Sequence, residues 1–256
     1  MGLTVHSCGS PVNRFEAPPE EARDGRFVVA LAGNPNTGKS TVFNALTGRR
    51  QHTGNWPGKT VVTARGYYTF DSAKFVVVDL PGTYSLLTSS VEEEVATEFL
   101  IAGRPDVTVV VTDATCLERN LNLALQIIEM TPRVVVCVNL VDEALKKGIQ
   151  VNTDLLSRDL GVPVVPAAAR SGLGLGRLKK TVHDVATGAR VPQPPPVPYS
   201  ERVSRAIGLL APAIVDLGFD NRTARWLAVR LLDSDGPARA AVLRFLRNGA
   251  RGRCAR

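Results

Sequence analysis

From Arg26 onward, short β-branched runs alternate with stretches whose apolar positions recur at three- and four-residue spacing. Segments 27–32, 75–79, 107–112, 134–139 and 162–166 are apolar almost throughout. That pattern predicts strands buried on both faces of a parallel sheet. Between them, 39–47, 90–101, 117–130 and 173–187 have helical spacing and length. Alternating β and α elements predict a doubly wound α/β domain, a mostly parallel sheet flanked by helices. Segment 61–70 interrupts the alternation: it runs into 75–79 through Asp71-Ser72, a turn pair, and is expected to lie antiparallel as an edge strand.

Two further boundaries follow from local composition. Residues 1–25 are rich in Pro, Glu, Gly and Ser without periodicity and read as a flexible N-terminal tail. Residues 191–198 hold five prolines in eight positions, a spacer that favours extended backbone over helix or sheet. The expected organisation is therefore a nucleotide-binding domain over 26–190, the Pro-rich linker 191–198, a small helical domain over 199–250 and a basic tail over 251–256. Within the helical part, 201–217, 222–232 and 237–247 read as three short helices. A unit of that size is marginal alone, so its apolar stripe is expected to dock on the α/β domain.

Composition, 44% hydrophobic and 21% charged, is that of a folded globular chain and excludes a disordered or fibrous one. The longest apolar run, 206–215, is far short of the ~18–20 residues a membrane-spanning helix needs. The net charge of +7 is local, because residues 237–256 carry six arginines and no acid. Cys8, Cys116, Cys137 and Cys254 are scattered, with no Cys-x-x-Cys pair and no secretion signal. They read as reduced thiols of a cytoplasmic protein.

The chemistry concentrates in Gly33-Asn34-Pro35-Asn36-Thr37-Gly38-Lys39-Ser40, a full G-x-x-x-x-G-K-S match followed by Thr41, lying between a predicted strand and a predicted helix. Glycines there let backbone N–H groups converge on phosphate oxygens, and the helix start adds its positive dipole end. Lys39 is placed to bridge the β- and γ-phosphates, and the Ser40 hydroxyl to ligate Mg²⁺. Asp79-Leu80-Pro81-Gly82 closes a strand, where the carboxylate can hold Mg²⁺ through water and the Gly82 N–H can meet the γ-phosphate. Between the two motifs, the Gly/Pro-rich connection 54–59, with Gly58, leads to Thr60. Its hydroxyl and carbonyl are candidates for Mg²⁺ and the γ-phosphate.

Asn139-Leu140-Val141-Asp142 ends another strand and supplies what guanine requires, a carboxylate accepting from both N1–H and the exocyclic amine. Facing adenine, that carboxylate would be left unpaired at ~1–3 kcal/mol or more, so the pattern selects GTP over ATP. Leu140 stands where many GTPases have Lys. Downstream, Ala168 occupies the usual Ser position of a loop in which the Ala169 N–H is expected to reach guanine O6.

With these motifs in order, the chain resembles the N-terminal cytosolic region of the bacterial ferrous-iron transport protein B family. The most specific residues are His52-Thr53-Gly54-Asn55-Trp56-Pro57-Gly58-Lys59-Thr60, Asp79-Leu80-Pro81-Gly82-Thr83-Tyr84-Ser85-Leu86 and Asn139-Leu140-Val141-Asp142-Glu143-Ala144. The likeness is close over about 26–188 and extends to 199–248 in size and position, where the family has a helical domain that favours GDP binding. It implies slow, potassium-stimulated GTP hydrolysis, with Asn36 matching the potassium ligand and carbonyls near Asn55 and Trp56 completing the shell. It further implies a membrane iron-permease domain or subunit as partner, at the inner face of the cell membrane. Family members continue into a polytopic membrane domain, so the activity expected of this polypeptide is nucleotide binding and hydrolysis, not transport.

Other features read plainly. His6, His52 and His183 have no metal-ligand spacing; Trp56 reads as an exposed loop aromatic, either plain or stacking on a partner or base, and Trp226 as part of the helical core. Two other readings stay open. One is a ribosome- or RNA-associated GTPase that uses the arginine tail. The other is a GTP-binding adaptor without hydrolysis, because Thr83 stands where other GTPases carry a catalytic Gln. No DNA partner is expected, and self-association is left open.

Overall fold

The computed structural model describes residues 25–48, 51–56, 60–86 and 90–232, together with 239–240, 242–243 and 246–247. Residues 1–24 of the expected N-terminal tail, Gly58, the basic tail 251–256 and part of the third helical segment 237–247 lie outside the described residues.

The elements run β1 Arg26–Gly33, α1 Lys39–Thr47, β2 Gln51–Asn55, β3 Val62–Phe70, β4 Ala73–Asp79, α2 Val91–Ala102, β5 Val107–Asp113 and α3 Leu117–Met130. They continue with β6 Val134–Asn139, α4 Val141–Lys146, α5 Thr153–Leu160, β7 Val164–Pro166, α6 Leu175–Ala186, α7 Glu201–Asp216 and α8 Asn221–Leu232. The seven strands form one sheet in the order β2-β3-β4-β1-β5-β6-β7. From β4 to β7 neighbours are parallel, and β2, β3 and β4 are antiparallel.

Burial on both sides of the central strands explains their near-continuous apolar sequence. Val28, Ala30, Val76, Val110 and Val136 face α2, α3 and the helical pair α7–α8, whereas Val29, Leu31, Phe75, Val109 and Cys137 face α1 and α6. The register brings Leu31 beside Asp79, Gly33 beside Val111 and Asp113 beside Asn139. Loops bearing the sequence motifs therefore leave the sheet along one margin, the carboxyl ends of the parallel strands, where α/β sheets bind ligands.

Segment 61–70 does pair antiparallel, as expected, but it is not the edge. β2 lies outside it, with His52 opposite Arg65 and Gly54 opposite Thr63. β2 escaped sequence reading because Gln51-His52-Thr53-Gly54-Asn55 has neither apolar alternation nor β-branched enrichment. Its place rests on backbone pairing to β3, which side-chain pattern does not report. The short α4 and α5 were also absent from the expected elements, although Asn152 caps α5 by accepting the Leu155 N–H at 2.9 Å.

The helical pair packs on the α/β layer through one continuous core. Trp226, Leu227 and Ala228 of α8 join Leu123, Ile127 and Ile128 of α3. Arg222 of α8 donates to the Ile128 carbonyl at 3.0 Å and to the Pro194 carbonyl at 3.3 Å. Arg225 donates to the Val197 carbonyl at 3.2 Å, so the Pro-rich segment is strapped to α8 by guanidinium groups. Among the described residues no helix is long and apolar enough to cross a membrane.

Candidate phosphate and base site

The loop between β1 and α1 is shaped by residues that tolerate little else. A Cβ on Gly33 would lie 2.6 Å from the Val111 carbonyl oxygen, and one on Gly38 would lie 2.4 Å from Asn139 Nδ2. Asn36 and Gly38 both have left-handed backbone, with φ of 67° and 77°. No side chain caps α1, and its first turn holds no acid. By contrast, α2 is capped by Ser90 and starts Glu92-Glu93-Glu94. The first N–H groups of α1 are thus left for an external acceptor, and an anion suits them best.

Lys39 Nζ forms a short ion pair with Asp79 at the end of β4, both side chains being largely buried. Burial raises the Asp79 pKa above the ordinary carboxylate range, and the charge and hydrogen bond of Lys39 only partly offset that. The pair brings together the two residues assigned to phosphate and metal. Ser40 and Thr41, in the same turn as Lys39, are exposed.

The segment after Asp79 lies against the loop. Gly82 packs so closely that a Cβ there would stand 3.3 Å from the Pro35 nitrogen, and the Thr83 N–H donates to the Gly33 carbonyl at 3.3 Å. Three residues that sequence reasoning did not single out hold the stretch Tyr84-Ser85-Leu86. Arg119 stacks over Tyr84 at 4.5 Å, Glu93 accepts from the Ser85 hydroxyl at 2.9 Å, and Gln126 accepts from the Leu86 N–H at 2.7 Å. All three sit on the helices α2 and α3, and no motif marks them.

Thr60 is exposed in the β2–β3 connection, which is closed by the Trp56 N–H donating to the Val61 carbonyl at 2.7 Å. Among the described residues no hydrogen bond joins Thr60 to the phosphate loop. Trp56 departs from expectation: it is 8% exposed and packs edge-on against Phe99 of α2, ring centres 5.8 Å apart. The apolar side of α2 offers the indole a dry surface that the loop sequence alone does not advertise.

Asn139 is the joint of the base site. Fully buried, it donates through Nδ2 to the Thr37 carbonyl at 3.0 Å and accepts the Ala169 N–H through Oδ1, also at 3.0 Å. The Ala169 N–H, expected to face guanine O6, is therefore already engaged, and the Ala168 N–H is held by the Leu173 carbonyl at 3.1 Å. A buried amide must fill its own hydrogen bonds first. Leu140 adopts φ 61°, an unusual conformation for a branched residue, and its carbonyl accepts the first-turn N–H groups of α4 from Glu143 and Ala144. Half-buried Asp142 follows in that first turn.

A mostly parallel sheet whose carboxyl margin carries a G-x-x-x-x-G-K-S loop, an Asp-x-x-Gly and an Asn-x-x-Asp defines a GTPase-type P-loop protein. Comparison with known proteins narrows this further. The family model described as "Ferrous iron transport protein B" matches residues 27–182, and the chain belongs to that family. It is 37% identical over 222 residues to the Fe(2+) transporter FeoB of Salmonella choleraesuis (strain SC-B67), and 37% identical over 219 residues to that of Escherichia coli (strain K12). Each alignment covers 84% of this chain, which spans only 28% of the length of these curated relatives. Among solved structures, the cytosolic domain of L. pneumophila FeoB superposes with a TM-score of 0.74 at 32% identity, covering 88% of this chain and 96% of that one. A point mutant of S. thermophilus NFeoB bound to GDP gives 0.72 at 33%, covering 89% and 91%.

Proposed function

We propose that the chain binds GTP and GDP and hydrolyses GTP, acting as the cytosolic regulatory G domain of a ferrous iron transport system. The observation that carries this reading is Asn139, which ties the base-selecting strand end directly to the phosphate loop at Thr37. A GDP-bound relative of the same fold supports the choice of nucleotide. Asp142 selects guanine through N1–H and the exocyclic amine. With Ala168 and Ala169 engaged, the Arg170 N–H, which has no hydrogen bond among the described residues, is the better candidate for O6.

Phosphate binding recruits Lys39 away from Asp79, since a polyphosphate offers it more negative charge than one carboxylate does. The donor set Ser40 and Asp79, joined by Thr60, consists of hard oxygens and fits Mg²⁺. Bound there, Mg²⁺ neutralises charge on the β- and γ-oxygens. Asn36, held left-handed at the outer rim of the loop, is the candidate ligand for K⁺. Thr83 is buried with its N–H on Gly33, so the residue after Gly82 does not orient an attacking water. Asn36 would hold a monovalent cation beside the phosphates, and such a cation would supply positive charge against the charge that builds up between the β- and γ-phosphates.

The ferrous-iron permease domain or subunit is the proposed partner, placing this chain at the inner face of the cell membrane. Nucleotide competition tests the core of the proposal: GTP and GDP should displace a fluorescent guanine nucleotide and ATP should not. Equal displacement by ATP would defeat it.

A further inference from the structure

The Asn34 side chain does not behave as part of the phosphate surface. Asn36, Ser40 and Thr41 of the same loop are exposed, whereas Asn34 is 3% exposed and both its amide oxygen and its amide nitrogen are buried without a hydrogen-bond partner among the described residues. An amide turned to the phosphate side would share the exposure of its neighbours. Asn34 follows directly on β1, whose Val28, Ala30 and Ala32 lie on the face covered by α2 and α3. Leu80 and Leu86, which bracket the Gly82–Ser85 stretch, belong to that same core.

Buried amides left unpaired are uncommon and costly, and a functional strain reservoir is one recognised reason for keeping one. The residues on either side of Asn34 are the very ones touched by the segment after Asp79. Gly33 accepts the Thr83 N–H at 3.3 Å, and Pro35 lies under Gly82. We infer that Asn34 is a positioning residue for that segment. When Gly82 moves to meet a γ-phosphate, the backbone of residues 82–85 shifts across Asn34, and its amide takes up the groups released, the Thr83 N–H first among them. The amide is unpaired while Gly82 rests on Pro35 and the Thr83 N–H on Gly33, and paired once Gly82 has moved to the γ-phosphate that GDP lacks, so it favours the GTP-engaged arrangement over the GDP one. This inference rests on the proposed GTP-dependent switch and adds the residue that latches it.

The test compares the unmodified protein with Asn34→Leu, of similar size but apolar, and Asn34→Thr, which retains a donor and an acceptor. Affinities for GDP and for a non-hydrolysable GTP analogue are measured with Mg²⁺, and the thermal midpoint is measured without nucleotide. Asn34→Leu should raise that midpoint, since it removes an unpaired buried amide, and should lower the ratio of analogue affinity to GDP affinity by about tenfold, the scale of one buried hydrogen bond. Asn34→Thr should recover part of the ratio. A ratio within twofold of the unmodified protein in both variants would overturn the inference, as would a lowered midpoint for Asn34→Leu with the ratio unmoved, the signature of a purely structural amide. Should Asn34→Leu not fold, Asn34→Ala, which also lacks the donor and acceptor, takes its place and its ratio decides by the same twofold limit. If the unmodified protein binds neither nucleotide, the functional reading itself fails and takes this inference with it.

Discussion

Asn139 Nδ2 lies 3.0 Å from the Thr37 carbonyl oxygen, across 102 residues of chain. With Oδ1 on the Ala169 N–H, this one amide fixes the phosphate loop and the loop after β7 to the same strand end. Asn139→Ala leaves a buried carbonyl and a buried N–H unpaired, at about 1–3 kcal/mol for each group. A lower thermal midpoint together with loss of both GTP and GDP affinity is expected, and calorimetry on one sample reads both.

Asp142→Asn acts differently, because Asp142 is half-buried in the first turn of α4 and is not part of that joint. The fold should keep its stability while guanine affinity falls ~10-fold or more and xanthine nucleotides gain, their C2 carbonyl accepting from the new amide. A competition assay in which preference does not move would remove Asp142 from the base site.

Lys39→Ala should act on phosphate binding at every pH and on stability only as pH rises. Phosphate affinity should collapse in a protein that still folds, as it should in Ser40→Ala through the lost metal ligand. In Lys39→Ala, Asp79 also loses the partner that offsets its burial, and its already raised pKa climbs further. A carboxylate whose folded pKa is above its unfolded value stabilises the fold at low pH and loses that contribution as pH rises through the folded pKa. Lys39→Ala should therefore lose stability progressively above the ordinary carboxylate range, by up to about 3 kcal/mol at pH 7, compared with the unmodified chain. Adding Asp79→Asn should flatten that dependence, which unfolding midpoints measured from acid to neutral pH will show.

Potassium should accelerate GTP turnover several-fold over sodium at matched ionic strength, within the ~10³–10⁵ that an arginine finger can reach. Asn36→Ala should abolish the difference while retaining GDP affinity better than GTP hydrolysis, and Thr60→Ala should likewise impair turnover more than GDP binding. Equal rates in the two salts would leave an external activating protein as the better account.

Arg222→Ala removes the donors to Ile128 and Pro194 that strap α8 and the Pro-rich segment to α3. Two part-buried carbonyls lose charged donors, a cost of about 1–3 kcal/mol. Faster proteolysis within the Pro-rich segment is expected, with nucleotide affinity retained. Unchanged cleavage would mean that the Trp226 core alone holds the helices.

The sheet and its loops were legible because burial on both faces writes long Val runs, and because phosphate and guanine each demand residue types at fixed spacing. Lys39–Thr47 and Leu117–Met130 match the expected helices end to end. What escaped was structure held by partners distant in sequence. β2 exists through backbone bonds to β3, and Trp56 is buried because α2 presents Phe99 to it. The engagement of the Ala169 N–H depends on where Asn139 points, and no spacing rule encodes that.

The burial of Trp56 also makes the molecule its own spectrometer. The chain has two tryptophans, and Trp226 is sealed in the core that joins α3 and α8. Trp56 lies four residues before Thr60 and touches the helix that follows the Asp79–Leu86 stretch. Any displacement of Thr60 toward a nucleotide must tug on that indole or slide it across Phe99, changing the polarity around the ring and its quenching. Intrinsic emission would then follow the nucleotide cycle in unlabelled protein, with Trp226 as a constant background, and Trp56→Phe would silence the response.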